Sequence, residues 1–185
     1  QGGADLSNVI LRCYDQMCRA VSQQRGVQRK ESMTPREFER RLSELLVQAK
    51  HTHQHHALAY LDLDQFKLVN DTCGHAVGDR LLCQITYLLK EKVRDSDTLA
   101  RLGGDEFGLL LENCPLERAM HITEDLLTTI RNFRFVWQGH SFDIGASIGL
   151  VPISEDSVTP AEVLSEADAA CFTAKEKGRN RVQVY

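Results

Sequence analysis

Apolar residues recur along this chain at two periods, and the changes of period mark its elements. Leu6, Val9, Ile10, Cys13, Met17, Ala20 and Val21 fall three and four residues apart, which predicts an amphipathic helix ending near Gly26. The same spacing suits a short coiled coil as well as a helix packed on its own domain. Residues 23–33 are polar and basic and read as a linker. Thr34-Pro35 offer an N-cap and a first-turn proline to a second helix, with Phe38, Leu42, Leu45, Leu46 and Ala49 as its apolar face. Three more helices are predicted. One covers residues 79 to about 93, with Leu81, Leu82, Ile85, Leu88 and Leu89 inward. One opens at Pro115, with Ala119, Ile122, Leu126 and Ile130 inward, and one runs from Pro160 to near Gly178.

Between the helices the period falls to two. Residues 57–64 form an apolar strand. Residues 97–102 and 107–111 flank Gly103-Gly104 as a hairpin, and the glycines suit a turn that needs positive φ. A second hairpin is expected from residues 133–137 and 142–151 around residues 138–140. Phe142, Ile144, Ala146, Ile148 and Leu150 alternate there with Asp143, Gly145, Ser147 and Gly149, which reads as one half-buried strand. Residues 181–185 read as a last strand. This order predicts an α+β sandwich, a largely antiparallel sheet with helices against it.

Composition narrows the function classes. The length suits one domain (residues 34–185) behind a short linker and helix (residues 1–33). A net charge of −4 argues against nucleic acid as the main partner. No apolar run reaches membrane-spanning length and no signal peptide is visible, so a cytoplasmic location without membrane contact by this segment is expected. Six cysteines without CxxC spacing fit reduced, mostly buried thiols. The histidine-rich run at residues 51–56 reads as a solvated loop rather than a metal site.

Two acidic stretches carry chemistry. Asp105 and Glu106 directly follow the Gly-Gly turn, where adjacent carboxylates repel and a plain hairpin has no use for them. A hard cation such as Mg²⁺ removes that objection. The strand at residues 57–64 ends in Asp62 and Asp64, which period two puts on one face, with Leu61 and Leu63 on the other. If this strand lies beside the hairpin, one acid of the pair meets Asp105 and Glu106 at one sheet edge. A metal–phosphate site then explains the acids better than two unrelated acidic strand ends.

Four stretches together carry a family pattern. They are Arg101-Leu102-Gly103-Gly104-Asp105-Glu106-Phe107, the run from Asp62-Leu63-Asp64-Gln65-Phe66-Lys67 through Asn70-Asp71 to Gly74-His75, Gly78-Asp79, and Ala174-Lys175 with Gly178-Arg179-Asn180-Arg181-Val182. In order and spacing this resembles the GGDEF family of diguanylate cyclase domains, from about Pro35 to Tyr185. The resemblance implies a five-stranded sheet with a ferredoxin-like βαββαβ core, akin to nucleotidyl cyclases and polymerase palms. It implies condensation of two GTP into cyclic di-GMP with release of pyrophosphate, each domain holding one GTP, so that two domains meet as a transient homodimer.

The resemblance also assigns roles. Asp62, the carbonyl of Leu63, and Glu106 would hold Mg²⁺ or Mn²⁺, and Asp105 would serve a second metal or the attacking hydroxyl. Gln65, Phe66 and Lys67 would face the phosphates, as would Lys175 and Arg179. Asn70 and Asp79 would read guanine, and Gly103 and Gly104 would let the backbone approach the nucleotide. From the residues alone, Asp79 could equally cap a helix, and Lys175 and Arg179 could be a solvated helix end. Arg94 and Asp97 stand where many members carry an Arg-x-x-Asp inhibitory site for cyclic di-GMP; a surface ion pair is the other reading. One segment departs from the family. Residues 27–35 do not match the Asp-x-Leu-Thr-Gly-Leu-x-Asn-Arg motif that joins stalk to catalytic body. The wording of the later motifs suggests fused sensory and EAL phosphodiesterase domains. The alternative function is a GTP-binding regulatory module of an adjacent EAL domain, without cyclase activity.

Overall fold

The computed structural model describes residues 33–185; the helix expected over residues 6–21 and the linker after it lie outside the described residues. Helix α1 (Pro35–Thr52) starts as the sequence predicts. Thr34 caps it in a reciprocal capping box with Glu37, and Pro35 occupies the first turn. Strand β1 (His56–Asp64) follows. Next come α2 (Phe66–Cys73), α3 (His75–Lys92), β2 (Thr98–Gly103) and β3 (Glu106–Leu111). Then α4 (Leu116–Asn132), β4 (Arg134–Trp137), β5 (His140–Asp143), β6 (Gly145–Ile153), α5 (Pro160–Glu176) and β7 (Arg181–Val184) complete the described fold.

Five strands form one sheet in the order β2-β3-β1-β6-β7, antiparallel except for the β6–β7 pair. The order β6-β1-β3-β2 is that of the ferredoxin-like core. Alternation in β1 sorts the layers. Ala57, Ala59, Leu61 and Leu63 pack with α2, α3 and α4. Leu58 packs with Phe38, Leu42 and Leu45 of α1 and with Val163 and Ala167 of α5. Helices cover both faces, and the strand order makes β1 the middle strand, so its acids sit at its C-terminal end rather than at a sheet edge.

The fold differs from the sequence reading at four places. Helix α3 begins at His75, not Asp79, because Gly74 at φ 87° breaks the chain between α2 and α3 without any side-chain cap. Asp79 is therefore in the second turn and caps nothing. The segment 142–151 is two strands: β5 pairs with β4 in a separate two-stranded sheet, and β6 joins the main sheet. Strand β6 is buried on both faces rather than half-buried. A Cβ on Gly149 would lie 2.0 Å from the Ala167 carbonyl oxygen, so glycine is what lets α5 settle on the strand. The histidine run is no single loop: His51 ends α1, whereas His56 is buried in β1 and its Nδ1 accepts the Asn113 N–H at 3.1 Å.

Candidate active site

The two acids at the end of β1 have different neighbours. Asp62 lies opposite Glu106 in the β1–β3 register, and the Leu63 N–H donates to the Asp105 carbonyl at 3.2 Å, which ties the hairpin turn to β1. From the α5 side, Lys175 brings Nζ to 2.6 Å from Asp62 Oδ2. Asp62 is buried, while Asp105 and Glu106 are half-buried. Burial pushes the Asp62 carboxyl above its ordinary value; Lys175 opposes this, and the charges on Asp105 and Glu106 reinforce it. Burial works to lower the Lys175 ammonium's value, but the bond to Asp62 together with the charges of Asp62 and its neighbours outweighs it, so the value is raised. Asp64 takes no part in this group. It accepts from Ser147 Oγ at 2.9 Å and from the Asn180 N–H at 3.0 Å.

The turn is not the one expected from its glycines. Neither Gly103 nor Gly104 adopts positive φ. Gly103 instead clears space for Glu106, whose Oε2 would lie 2.9 Å from an added Cβ, and Gly104 faces open space. The structure thus leaves room above Gly104 where a ligand could come close to the backbone. Arg101 Nε donates to the Gly104 carbonyl at 2.9 Å and holds the turn shut.

Beyond β1, Gln65 holds a left-handed conformation at φ 64° and precedes α2, whose N-terminus carries no side-chain cap. That leaves main-chain donors and the positive end of the helix dipole beside the acids, with Lys67 exposed in the first turn and the Phe66 ring buried. Asn70 packs its amide against α3, where an added Cβ on Gly78 would lie 1.9 Å from Oδ1. This oxygen is buried and has no hydrogen-bond partner among the described residues. Asp79 is exposed one residue further on. Arg179 and Asn180 follow α5 at φ 59° and 49°, consecutive left-handed residues that are not glycine. Arg179 is exposed.

Arg94 and Asp97 lie at the opposite end of β2 from Gly103. Asp97 Oδ2 accepts the Arg94 N–H at 3.0 Å and Oδ1 accepts the Glu112 N–H at 3.2 Å, so this carboxylate clamps main chain instead of pairing with the Arg94 guanidinium.

Sequence reasoning missed Tyr60. Period two puts it on the Asp62 face, and its hydroxyl is turned to the Glu106 carboxylate; burial first, then that contact, raise its value. Tyr60 and Glu106 line a cleft of about 360 Å³ with Phe38, Leu102, Leu164 and Asp168. A tyrosine two positions before Asp62, on the same face of the strand, is the available signal.

A ferredoxin-like antiparallel sheet whose middle strand and adjoining hairpin pool three carboxylates defines a nucleotidyl-transfer type of domain. The sequence matches the family described as "Diguanylate cyclase, GGDEF domain" over residues 35–181, and the chain belongs to that family. It is 47% identical over 148 residues to the probable diguanylate cyclase DgcE of Escherichia coli, covering 80% of this chain and 13% of that protein. It is 40% identical over 140 residues to the bifunctional diguanylate cyclase/cyclic di-GMP phosphodiesterase MucR of Pseudomonas aeruginosa, covering 76% and 20%. Among solved structures it resembles the GGDEF domain of TpbB from P. aeruginosa, with a TM-score of 0.75, 34% identity, and coverage of 82% of this chain and 94% of that one. The chain thus spans only a small part of the curated relatives' length.

The family implies a divalent metal. Among the described residues, no three His, Cys, Asp or Glu side chains already converge as a ready-made metal cluster. The donor chemistry nonetheless fits. Asp62, Asp105 and Glu106 are hard oxygen ligands, and burial foremost, with the charges on Asp105 and Glu106 adding to it, raises Asp62. Lys175 supplies one positive charge against three negative ones.

Proposed function

We propose that this chain is a catalytically competent diguanylate cyclase domain, condensing two GTP into cyclic di-GMP with release of pyrophosphate. The observation that carries the reading is the pooling of Asp62, Asp105 and Glu106 across β1 and the hairpin, with Lys175 on Asp62. In this reading Asp62, the Leu63 carbonyl and Glu106 hold Mg²⁺ or Mn²⁺, and Asp105 serves a second ion or the 3′-hydroxyl. When bound, the ions neutralise phosphate charge and align attacking and leaving oxygens.

The chain's own groups do the rest. The uncapped N-terminus of α2 at Gln65 and Phe66, with Lys67, receives phosphate oxygens, and Lys175 and Arg179 add charge from the other side. Asn70 and Asp79 take the guanine edge; the unpartnered Asn70 oxygen supports this, since a buried amide without a partner has bonding capacity left for a ligand. Gly104 leaves the nucleotide free approach. The alternative of a regulatory GTP-binding module without cyclase activity would use the metal-holding acids to bind GTP but leaves Asp105 without its role at the attacking hydroxyl.

One domain holds one GTP, so catalysis needs a second domain face to face. A rate that rises faster than linearly with protein concentration is the expected signature. Arg94 and Asp97 form the inhibitory product site in this reading, and the product would compete for an Asp97 carboxylate already holding the Arg94 and Glu112 N–H groups. Sensory and EAL domains in a longer protein, and a cytoplasmic setting where GTP is supplied, complete the proposal. Incubation of the chain with GTP and Mg²⁺ across a dilution series, followed by nucleotide analysis, tests it. Appearance of cyclic di-GMP supports the reading; GTP left unchanged at every concentration overturns it.

A further inference from the structure

The second acid of β1 is removed from the metal group by its partners, yet it is only 6% exposed and held by two bonds. We propose that Asp64 is a positioning residue: it fixes the loop after α5 so that Arg179 presents its guanidinium to the nucleotide phosphates. This rests on the reading of Arg179 as a phosphate contact.

The argument begins with the backbone. Arg179 and Asn180 both adopt left-handed conformations, which cost a non-glycine residue and persist only where surroundings enforce them. Asp64 is the enforcing group. Its Oδ2 accepts the Asn180 N–H at 3.0 Å, and its Oδ1 accepts the Ser147 hydroxyl at 2.9 Å. Gly145, opposite Asp64 in the β1–β6 register, makes room: an added Cβ would lie 3.1 Å from Asp64 Oδ2 and 3.6 Å from the Asn180 side-chain oxygen. From the other side the Arg179 N–H donates to the Ala174 carbonyl at 3.0 Å, which anchors the loop to the end of α5. The loop is therefore clamped between the helix that carries Lys175 and the strand that carries Asp62. One strand end thus serves both halves of the site: Asp62 acts toward the metal, and two residues on, Asp64 sets the phosphate-side arginine through main chain. A buried carboxylate accepting a main-chain N–H and a hydroxyl gives stiff, charge-assisted geometry, which suits positioning.

The test is a double-mutant cycle in the whole chain with Asp64→Ala, Arg179→Ala and the pair. It is read by the GTP KM against kcat, and by calorimetry of a non-cleavable GTP analogue with Mg²⁺. Arg179→Ala is expected to raise KM and weaken the analogue about tenfold. Asp64→Ala should do nearly the same, and the double variant should be no worse than Arg179→Ala alone, because both remove one contact. Multiplying effects would show that Asp64 acts elsewhere and overturn the inference while leaving Arg179 a phosphate contact. No effect of Arg179→Ala would overturn both. Asp64→Asn keeps an acceptor for the Asn180 N–H and is expected to stay within about twofold of the parent. Should Asp64→Ala not fold, Asp64→Asn and Ser147→Ala carry the cycle. Ser147→Ala is then expected to weaken the analogue only while Arg179 is present, and independence from Arg179 would overturn the inference.

Discussion

The two ends of the β1–β3 ladder handle charge in opposite ways. At the far end, Arg41 of α1 pairs with Glu112, with Nε at 3.0 Å from Oε1, and with Glu44 at 2.8 Å. Asp97 holds two main-chain N–H groups, and the His56 ring accepts a third from Asn113. The bond to Glu112, then that to Glu44, raises Arg41 above its ordinary value. At the near end Asp62, Asp105 and Glu106 share one ammonium, and burial leaves Asp62 raised despite it. Matched partners build these acids into the architecture, Asp97 included, whatever it is proposed to bind besides. Acids gathered with too little positive charge are costly to the fold, and function is the reason to keep them.

The sharpest way to break this contrast is Asp62→Ala. It should cut cyclic di-GMP formation by about 10³-fold, the scale of losing one charge-stabilising group at a reacting centre, while far-UV dichroism stays that of the parent. Retained activity would make the near end ordinary architecture too.

The matching change at the far end is Arg41→Ala. It leaves the Glu112 carboxylate, whose side chain is only 13% exposed, without its guanidinium. A stability loss of about 1–2 kcal/mol in urea melts is expected, with turnover per folded molecule unchanged. The opposite pattern, activity lost at full stability, would put Arg41 in the working part of the domain.

The smallest effect concerns pH. A carboxyl whose folded value is raised stabilises most below its unfolded value and loses that contribution as pH rises through the folded one. Ionised Asp62 is therefore a burden at neutral pH. Asp62→Asn is expected to melt no lower than the parent at pH 7. Its advantage should shrink as pH falls toward and below the ordinary aspartate range near 3.9. A variant that melts well below the parent at pH 7, recovering in acid, would show that the Lys175 pair outweighs burial.

Much of this contrast is readable in the sequence, because local chemistry makes it. Thr34 and Thr159 announce their helices through caps, and period two puts Asp62 and Asp64 on one face. What separates those two acids is not local. Glu106 sits across from one, while Ser147 and Asn180 hold the other, and only pairing of β1 with β3 and β6 decides which is which. The start of α3 hid for a related reason: Gly74 punctuates through φ, with no capping side chain to announce it. Glycine misled at Gly103 and Gly149 as well. One clears a carboxylate and the other a helix, and neither close approach can be seen before the partner is placed.

The central place of β1 also has a kinetic meaning. Ala57 pairs with Leu111 on one side and with Pro152 on the other, so no short segment of the chain completes its ladder. Contacts this distant in sequence slow folding, since large loops must close before any bond rewards them. The acids of β1 meet their neighbours only once nearly the whole described sheet exists, so a partly folded chain holds no half-formed nucleotide site. In amide exchange, β1 should open only with global unfolding. The carboxylate proposed to face the metal thus rides on the slowest-opening strand, and Asp64 ties the loop that carries Arg179 to that same strand.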